Sequence, residues 1–313
     1  MSESQFSAVF PGQGSQSLGM LRDLGDSFPI VIDTFTEASD ILGYDLWDLV
    51  QNGPVESLNQ TVNTQPAMLA AGVAVWRAWL AQQGPLPQMM AGHSLGEYSA
   101  LVCAEAIEFS DAIKVVSERG RLMQNAVPEG SGSMAAILGL DDEAVREACR
   151  AAASDEVVEA VNYNSPGQVV IAGAKMAVER ACEFAKAAGA RRAMPLPVSV
   201  PSHSTLMRPA AERLIEQLAT ISISRPTIPV LHSVNVEWIE DADDIRKILA
   251  SQLYSPVRWV ETVLKMAAAG SASLLEIGPG KVLAGLTKRI DRSLIGKAVF
   301  DTKSLNQALE ALG

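Results

Sequence analysis

The chain has 313 residues, 48% hydrophobic and 19% charged, enough for one large domain or a large domain carrying a smaller insertion. A formal net charge of −11 disfavours nucleic acid and anionic membranes as partners, so an anionic partner would have to meet a local basic patch. Three scattered cysteines (Cys103, Cys149, Cys182) and three histidines without ligand spacing argue against a disulfide framework and against zinc. With a polar start, MSESQF, that lacks a signal-peptide pattern, they lead to the expectation of a cytoplasmic protein.

The first predicted element is a short buried strand, FSAVF (Phe6 to Phe10), which runs into the loop PGQGSQ. The glycines of that loop do not fit G-x-G-x-x-G and no Lys-Ser/Thr follows, so a nucleotide site is disfavoured against a tight turn. TQPAMLAAGVAVWRAWLAQQG reads as a helix ending near Gly84, with Pro85 behind it. Its most apolar part, 66–80, contains Arg77 and is too short to cross a bilayer, and Trp76, Trp79 and Leu80 are expected in the core. MMAGHS is the next strand, and a helix over 95–104 follows it. A further helix is expected from Ser110, as N-cap, to about Val127.

The middle of the chain alternates differently. SMAAILGL is a strand, DDEAVREACRAAA a helix, EVVEAVNYN and QVVIAG two strands joined around Ser165-Pro166-Gly167, KMAVERACEFAKAAGA a helix, and RRAMPLPVSV an extended run. This β-α-β-β-α-β order predicts a ferredoxin-like subdomain over 127–198, inserted into an α/β catalytic domain made of 1–126 and 199–313. That larger domain resumes with a helix after Ser204, a strand TIPVLHSV, a helix over 244–253 and a strand SLLEIGP.

Gly92-His93-Ser94-Leu95-Gly96 fits G-x-S-x-G, the sharp strand-to-helix turn that presents a serine hydroxyl at its tip. A serine hydroxyl needs a base to act as a nucleophile at neutral pH. His93 adjoins Ser94 and is expected to point elsewhere, while His232 lies in an apolar run and reads as a hydrogen-bonded core histidine. His203, after the strand-ending Pro201, stands where α/β proteins gather catalytic groups and is the best candidate base. Leu95 follows the elbow serine at a helix start, so its N–H is free to face an oxyanion. Arg121 has Ser117, Glu118, Gln124 and Asn125 as helical neighbours, whereas Arg119 has Val115, Val116, Leu122 and Met123. A buried arginine needs an anionic partner, which could be an internal carboxylate or a ligand.

FPGQGSQ, GHSLGEYSAL, ERGRLMQ, NSPGQVVIAG, VPSH, QLYSPVRW and EIGPGKVLAGL occur in the order found in malonyl-CoA:acyl carrier protein transacylases, and the chain resembles that family over nearly its full length. The resemblance implies an α/β-hydrolase-like core with a parallel sheet and the inserted subdomain. It further implies Ser94 as acylated nucleophile, His203 as general base and acid, and the Gln252 backbone carbonyl as orienter of the histidine. The N–H groups of Gln13 and Leu95 would form an oxyanion hole, and Arg119 would bind the malonyl carboxylate. Gln65 and Asn162 are cleft residues by the same analogy or else structural. Malonyl-CoA and acyl carrier protein are the implied partners, with no metal or redox cofactor. Arg191, Arg192, Lys281, Lys288 and Arg289 are candidates for a carrier-docking rim. A serine thioesterase or esterase, or a non-catalytic carrier-binding module, are the alternative functions.

Overall fold

The computed structural model describes residues 6–198 and 200–312. Ser199, in the extended run expected over 191–200 and first residue of the resumed catalytic domain, lies outside them, as do residues 1–5 and 313. The strands are β1 (Phe6–Phe10), β2 (Met90–Gly92), β3 (Gly132–Leu138), β4 (Val158–Ser165), β5 (Gln168–Ala174), β6 (Arg192–Pro195), β7 (Val230–His232), β8 (Glu237–Trp238), β9 (Ser273–Ile277) and β10 (Ile295–Val299).

One sheet has the order β10-β9-β1-β2-β7-β8, parallel except for β8, which pairs antiparallel at the edge. This is the α/β-hydrolase-like core. Every residue of β1 is buried, which is why it reads as an apolar run broken only by Ser7, whose hydroxyl pairs with that of Ser271: helices cover both faces of a parallel sheet. The pairing Phe10↔Gly92 brings the C-terminal ends of β1 and β2 together, and the His93 N–H donates to the Phe10 carbonyl at 3.0 Å. The loop after β1 therefore lies against the Ser94 turn, at the strand ends where such sheets hold their ligands.

The second sheet is antiparallel, order β4-β5-β3-β6, with the helices Asp142–Ala153 and Lys175–Ala187 packed on one side in the ferredoxin-like manner. Alternation along β5 sorts its residues. Val169 and Ile171 enter the core beneath the helices, whereas Val170 and Ala172 join Met134, Val161, Leu196 and Val198 on the other face. That second face forms a wall of the cleft described below.

Several boundaries differ from the sequence reading. The helix expected to be capped by Ser110 is Phe109–Gln124; its N-cap is Glu108, without a side-chain cap, and Ser110 sits inside the first turn. Chain entry is set by packing of buried Phe109, not by a hydroxyl cap. Leu80 is 43% exposed, while Trp76 and Trp79 are buried, because Leu80 occupies the outward face at the end of the helix Thr61–Ala81. The strand expected over TIPVLHSV shortens to Val230–His232. The helix expected over 244–253 is Ala242–Ser251, begun by the Asp241 carboxylate, which accepts from the N–H of Asp243 and of Asp244. Gln252–Tyr254 is a separate 3-10 turn, with consequences for the site. No helix among the described residues is long and apolar enough to cross a membrane.

Candidate active site

Close backbone approach, not flexibility, demands the two glycines of the elbow. A Cβ on Gly92 would lie 1.9 Å from the Gly96 carbonyl carbon, and one on Gly96 would lie 2.0 Å from the Phe10 carbonyl oxygen. Between them Ser94 adopts φ 54°, a left-handed conformation that costs a non-glycine residue about 1 kcal/mol or more. It turns the side chain out of the sheet edge, and Ser94 Oγ lies 2.8 Å from His203 Nε2 across 109 residues of sequence.

The protonation of this pair follows from its partners. His203 Nδ1 is 2.8 Å from the Gln252 carbonyl oxygen, which can only accept, so Nδ1 carries the hydrogen. In the neutral ring Nε2 is then the acceptor, and the Ser94 hydroxyl donates to it. Burial, followed by the nearby Arg119 charge, holds the His203 pKa down at about 3, so the ring is neutral at neutral pH and its Nε2 is free to accept a proton. A carbonyl occupies the place where a triad has its carboxylate, which orients the ring without stabilising its cation as strongly.

The other two histidines do different things. His93 Nε2 donates to Asn164 Oδ1 at 2.8 Å and its ring packs T-shaped with Trp259, so it is held by other partners and makes no hydrogen bond to Ser94 among the described residues. His232 is buried and its Nδ1 pairs with Glu97 Oε1 at 2.8 Å, the core role expected of it. His232→Ala is expected to destabilise by ~3 kcal/mol, since a buried carboxylate loses a partner. A urea midpoint measures that loss, and Ser94 reactivity per folded molecule should stay within a few-fold of wild type.

Ser94 and His203 line a cleft between the two sheets, together with Gln13, Leu95, Arg119 and Asn162. Among the described residues no acceptor meets the backbone N–H of Gln13 or of Leu95. Leu95 is the N-cap of the helix Gly96–Cys103, where an N–H is orphaned and the helix dipole favours negative charge.

Arg119 is 1% exposed, on the buried face of its helix as the spacing predicts. Its Nη1 donates to Gln65 Oε1 at 2.7 Å and its Nη2 to Gln252 Oε1 at 3.0 Å, while Nε has no partner. Both acceptors are neutral amides. Glu97, the buried carboxylate nearest in sequence to the elbow, is already used by His232 and by the N–H and hydroxyl of Ser233. Among the described residues Arg119 has no ion pair, so the internal salt bridge is not there. A buried cation without a counter-ion opens onto the same cleft as the serine–histidine pair. Arg121, by contrast, is exposed and paired with Glu118.

The arrangement can therefore form an ester on Ser94, hold an oxyanion, and select an acyl group that carries its own anion. Comparison with known proteins points the same way. Residues 8–302 match the family model of the acyl transferase domain. The malonyl CoA-acyl carrier protein transacylase of Haemophilus influenzae is 60% identical over 309 residues, covering 98% of this chain and 99% of that one. The chain belongs to the malonyl CoA-acyl carrier protein transacylase family. Among solved members, an acyl carrier protein S-malonyltransferase from Vibrio cholerae superposes with a TM-score of 0.95 at 59% identity, covering 97% of this chain and 99% of that one. A malonyl-transacylase solved in complex with a type II polyketide synthase acyl-carrier protein has a TM-score of 0.97 at 59% identity, covering 98% of this chain and 100% of its own.

Within this transacylase-family cleft, sequence reasoning undervalued two glutamines. Gln252 does more than present a carbonyl: its Oε1 accepts from Arg119 and its Nε2 donates to the Ser94 carbonyl at 3.2 Å. One residue thus touches the elbow, the histidine and the arginine. Gln65 is fully buried and its amide oxygen faces Arg119. Their burial beside a polar cluster is a tertiary fact without a local signature. Asn162 does line the cleft, with its Oδ1 buried and unpartnered.

Proposed function

We propose that this protein transfers a malonyl group from malonyl-CoA, through an ester on Ser94, to the phosphopantetheine thiol of an acyl carrier protein in fatty-acid biosynthesis. The observation that carries the reading is the buried guanidinium of Arg119, which has no ion pair among the described residues and lies in the cleft of the Ser94–His203 pair. A malonyl carboxylate supplies the missing charge and can meet a guanidinium through two hydrogen bonds.

In the first half-reaction Ser94 Oγ attacks the thioester carbonyl carbon as its proton passes to His203 Nε2. The oxyanion is held by the N–H groups of Gln13 and Leu95. The carbon–sulfur bond breaks, His203 returns the proton to the sulfur, and CoA leaves as a thiol. In the second half His203 takes the proton of the phosphopantetheine thiol, whose sulfur attacks the ester carbonyl, and Ser94 departs with that proton. Each proton transfer and each developing charge is met by a group of the protein, so the proposal includes no metal or redox cofactor. Three unpaired, buried thiols suit the reducing cytoplasm, where we place the reaction.

Incubation with radiolabelled malonyl-CoA, with and without acyl carrier protein, tests the reading. Label is expected on the enzyme alone in the first case and on the carrier in the second. Free malonate as the main product would make it a thioesterase, and no label on the enzyme would make it a binding module.

The carrier proteins of this pathway are acidic, and so is this chain, which calls for a cationic rim. Lys281, Lys288 and Arg289 lie exposed on and beside the helix Val282–Ile290, and Arg191 and Arg192 lie exposed where β6 begins. Arg289 Nη1 donates to Gln168 Oε1 at 2.6 Å, joining that helix to the start of β5. Neutralising Lys281 and Lys288 together is expected to raise KM for the carrier several-fold at low salt, with kcat unchanged. An unchanged carrier KM at low salt would remove this patch from the docking surface.

A further inference from the structure

His203 adopts φ 66°, a left-handed conformation that a non-glycine residue keeps only where its surroundings enforce it. On its N-terminal side the enforcement is visible: the His203 N–H donates to the Leu253 carbonyl at 2.8 Å and the ring to the Gln252 carbonyl. On its C-terminal side the chain enters the turn Thr205–Met207 and the helix Arg208–Leu218. An N-cap residue ordinarily closes such an entry with its own oxygen. Here the N-cap, Ser204, makes no cap bond, because its hydroxyl donates to the Pro201 carbonyl at 2.7 Å.

The cap comes from the other domain. Glu159, on β4 of the inserted subdomain, accepts the Thr205 N–H on Oε2 at 2.7 Å and the Thr205 hydroxyl on Oε1 at 3.2 Å. A carboxylate in that place also meets the positive end of the helix dipole. The same strand grips the segment that follows Gln252. The Tyr163 N–H donates to the Val257 carbonyl at 3.0 Å, the Val257 N–H donates to the Val161 carbonyl at 2.8 Å, and Asn164 takes the His93 ring. The histidine's own turn, the turn that presents its carbonyl acceptor, and the elbow are thus all fastened to β4.

We infer that Glu159 is a positioning residue for His203: its carboxylate clamps the Thr205 turn from the inserted subdomain and so holds the imidazole on both Ser94 and the Gln252 carbonyl. This rests on the serine–histidine reading given above and adds a residue to it. The subdomain is then part of what makes the base a base, besides forming a cleft wall.

The test is the rate at which a fluorophosphonate probe modifies Ser94 in the full-length protein, measured across pH 4 to 8. The probe needs the serine–histidine pair but carries no malonyl group, so failure of the substrate assignment would leave these rates as they are. Glu159→Ala is expected to react about tenfold more slowly at neutral pH, as a small misplacement of a catalytic group does. Its acid limb should also move up toward the ordinary imidazole range, because a loosened turn admits water to the ring. Glu159→Gln keeps an oxygen for the Thr205 N–H and an amide for its hydroxyl, and is expected to restore most of the rate and the low acid limb. Thr205→Val, which removes only the longer of the two bonds, should give a smaller loss in the same direction. It serves as the decisive variant if the alanine protein does not fold. An alanine variant with wild-type rate and acid limb would overturn the inference. So would a glutamine variant as slow as the alanine one, or a valine variant indistinguishable from wild type.

Discussion

Replacing Ser94 with alanine is expected to abolish covalent labelling by malonyl-CoA and to lower turnover by a factor on the order of 10⁶, by analogy with serine hydrolases that lose their nucleophile. Ser94 Oγ donates its hydrogen to His203 Nε2 at 2.8 Å, and no other hydroxyl among the described residues shares that contact with the ring. Alanine keeps the backbone of the elbow but leaves the base with nothing to deprotonate. Stability should change little, because alanine keeps the same left-handed φ at the elbow and leaves its strain in place. His203→Ala is expected to fall almost as far, because the two residues act as a unit. The measurement is the single-turnover rate of label transfer together with the unfolding midpoint. A folded Ser94→Ala protein that still became labelled would place the nucleophile elsewhere.

Replacing Arg119 with alanine is expected to change which acyl group the enzyme prefers. Each hydrogen bond lost between a guanidinium and a carboxylate is worth roughly 1.5–3 kcal/mol, and about 1.4 kcal/mol is a factor of ten. Malonyl transfer should therefore fall at least tenfold and up to several hundred-fold by the same reckoning. The cleft also loses a buried charge that an uncharged acyl chain would have to tolerate, so acetyl-CoA gains relative to malonyl-CoA. The informative number is the ratio of kcat/KM for the two substrates. Arg121→Ala, at an exposed residue paired with Glu118, should leave that ratio alone. An Arg119→Ala protein slowed equally on both substrates would reduce Arg119 to a structural role.

The same substitution carries a pH signature. His203 is held near 3 by burial first and by the Arg119 charge second, so removing that charge raises the pKa. Because the base works only when neutral, the rate is lost as pH falls through this value. Wild type should keep its plateau well below pH 6.5, the ordinary histidine value, and the variant should leave it at higher pH. Stability follows the same sign. A histidine whose folded pKa is depressed is protonated more readily when unfolded, so its contribution to stability is complete above about 6.5 and declines as pH falls toward 3.

How much of this was legible beforehand depends on how local the physics is. G-x-S-x-G could be read because its requirements lie within five residues: each glycine clears backbone that the same turn brings close. The free Leu95 N–H belongs to any helix start, and the buried face of Arg119 follows from helical spacing alone. The α/β layering was legible as well, because a strand buried on both faces is apolar wherever no partner waits for a polar group, and β1 is apolar but for Ser7, which pairs with Ser271. The boundary at Ser110 was misread, since a hydroxyl near a helix start is only one way to begin a helix and burial of Phe109 overrode it. Leu80 was misread for a related reason, because an apolar residue in the last turn can point outward.

By itself, the sequence determined the elbow, the helix faces, the layer type and, through seven ordered motifs, the family. Tertiary structure alone decided whether Arg119 had a counter-ion. Glu97, the buried carboxylate nearest the elbow in sequence, pairs instead with His232, 135 residues away along the chain. It also decided that Gln252 joins the elbow, histidine and arginine through its backbone and side chain together, and that the cap on the Thr205 turn comes from Glu159 across the domain boundary. A residue's type records what it can bond. Which of several eligible partners meets it depends on distances that folding sets, and in this buried site that allocation gives Arg119 two neutral amides and no carboxylate among the described residues.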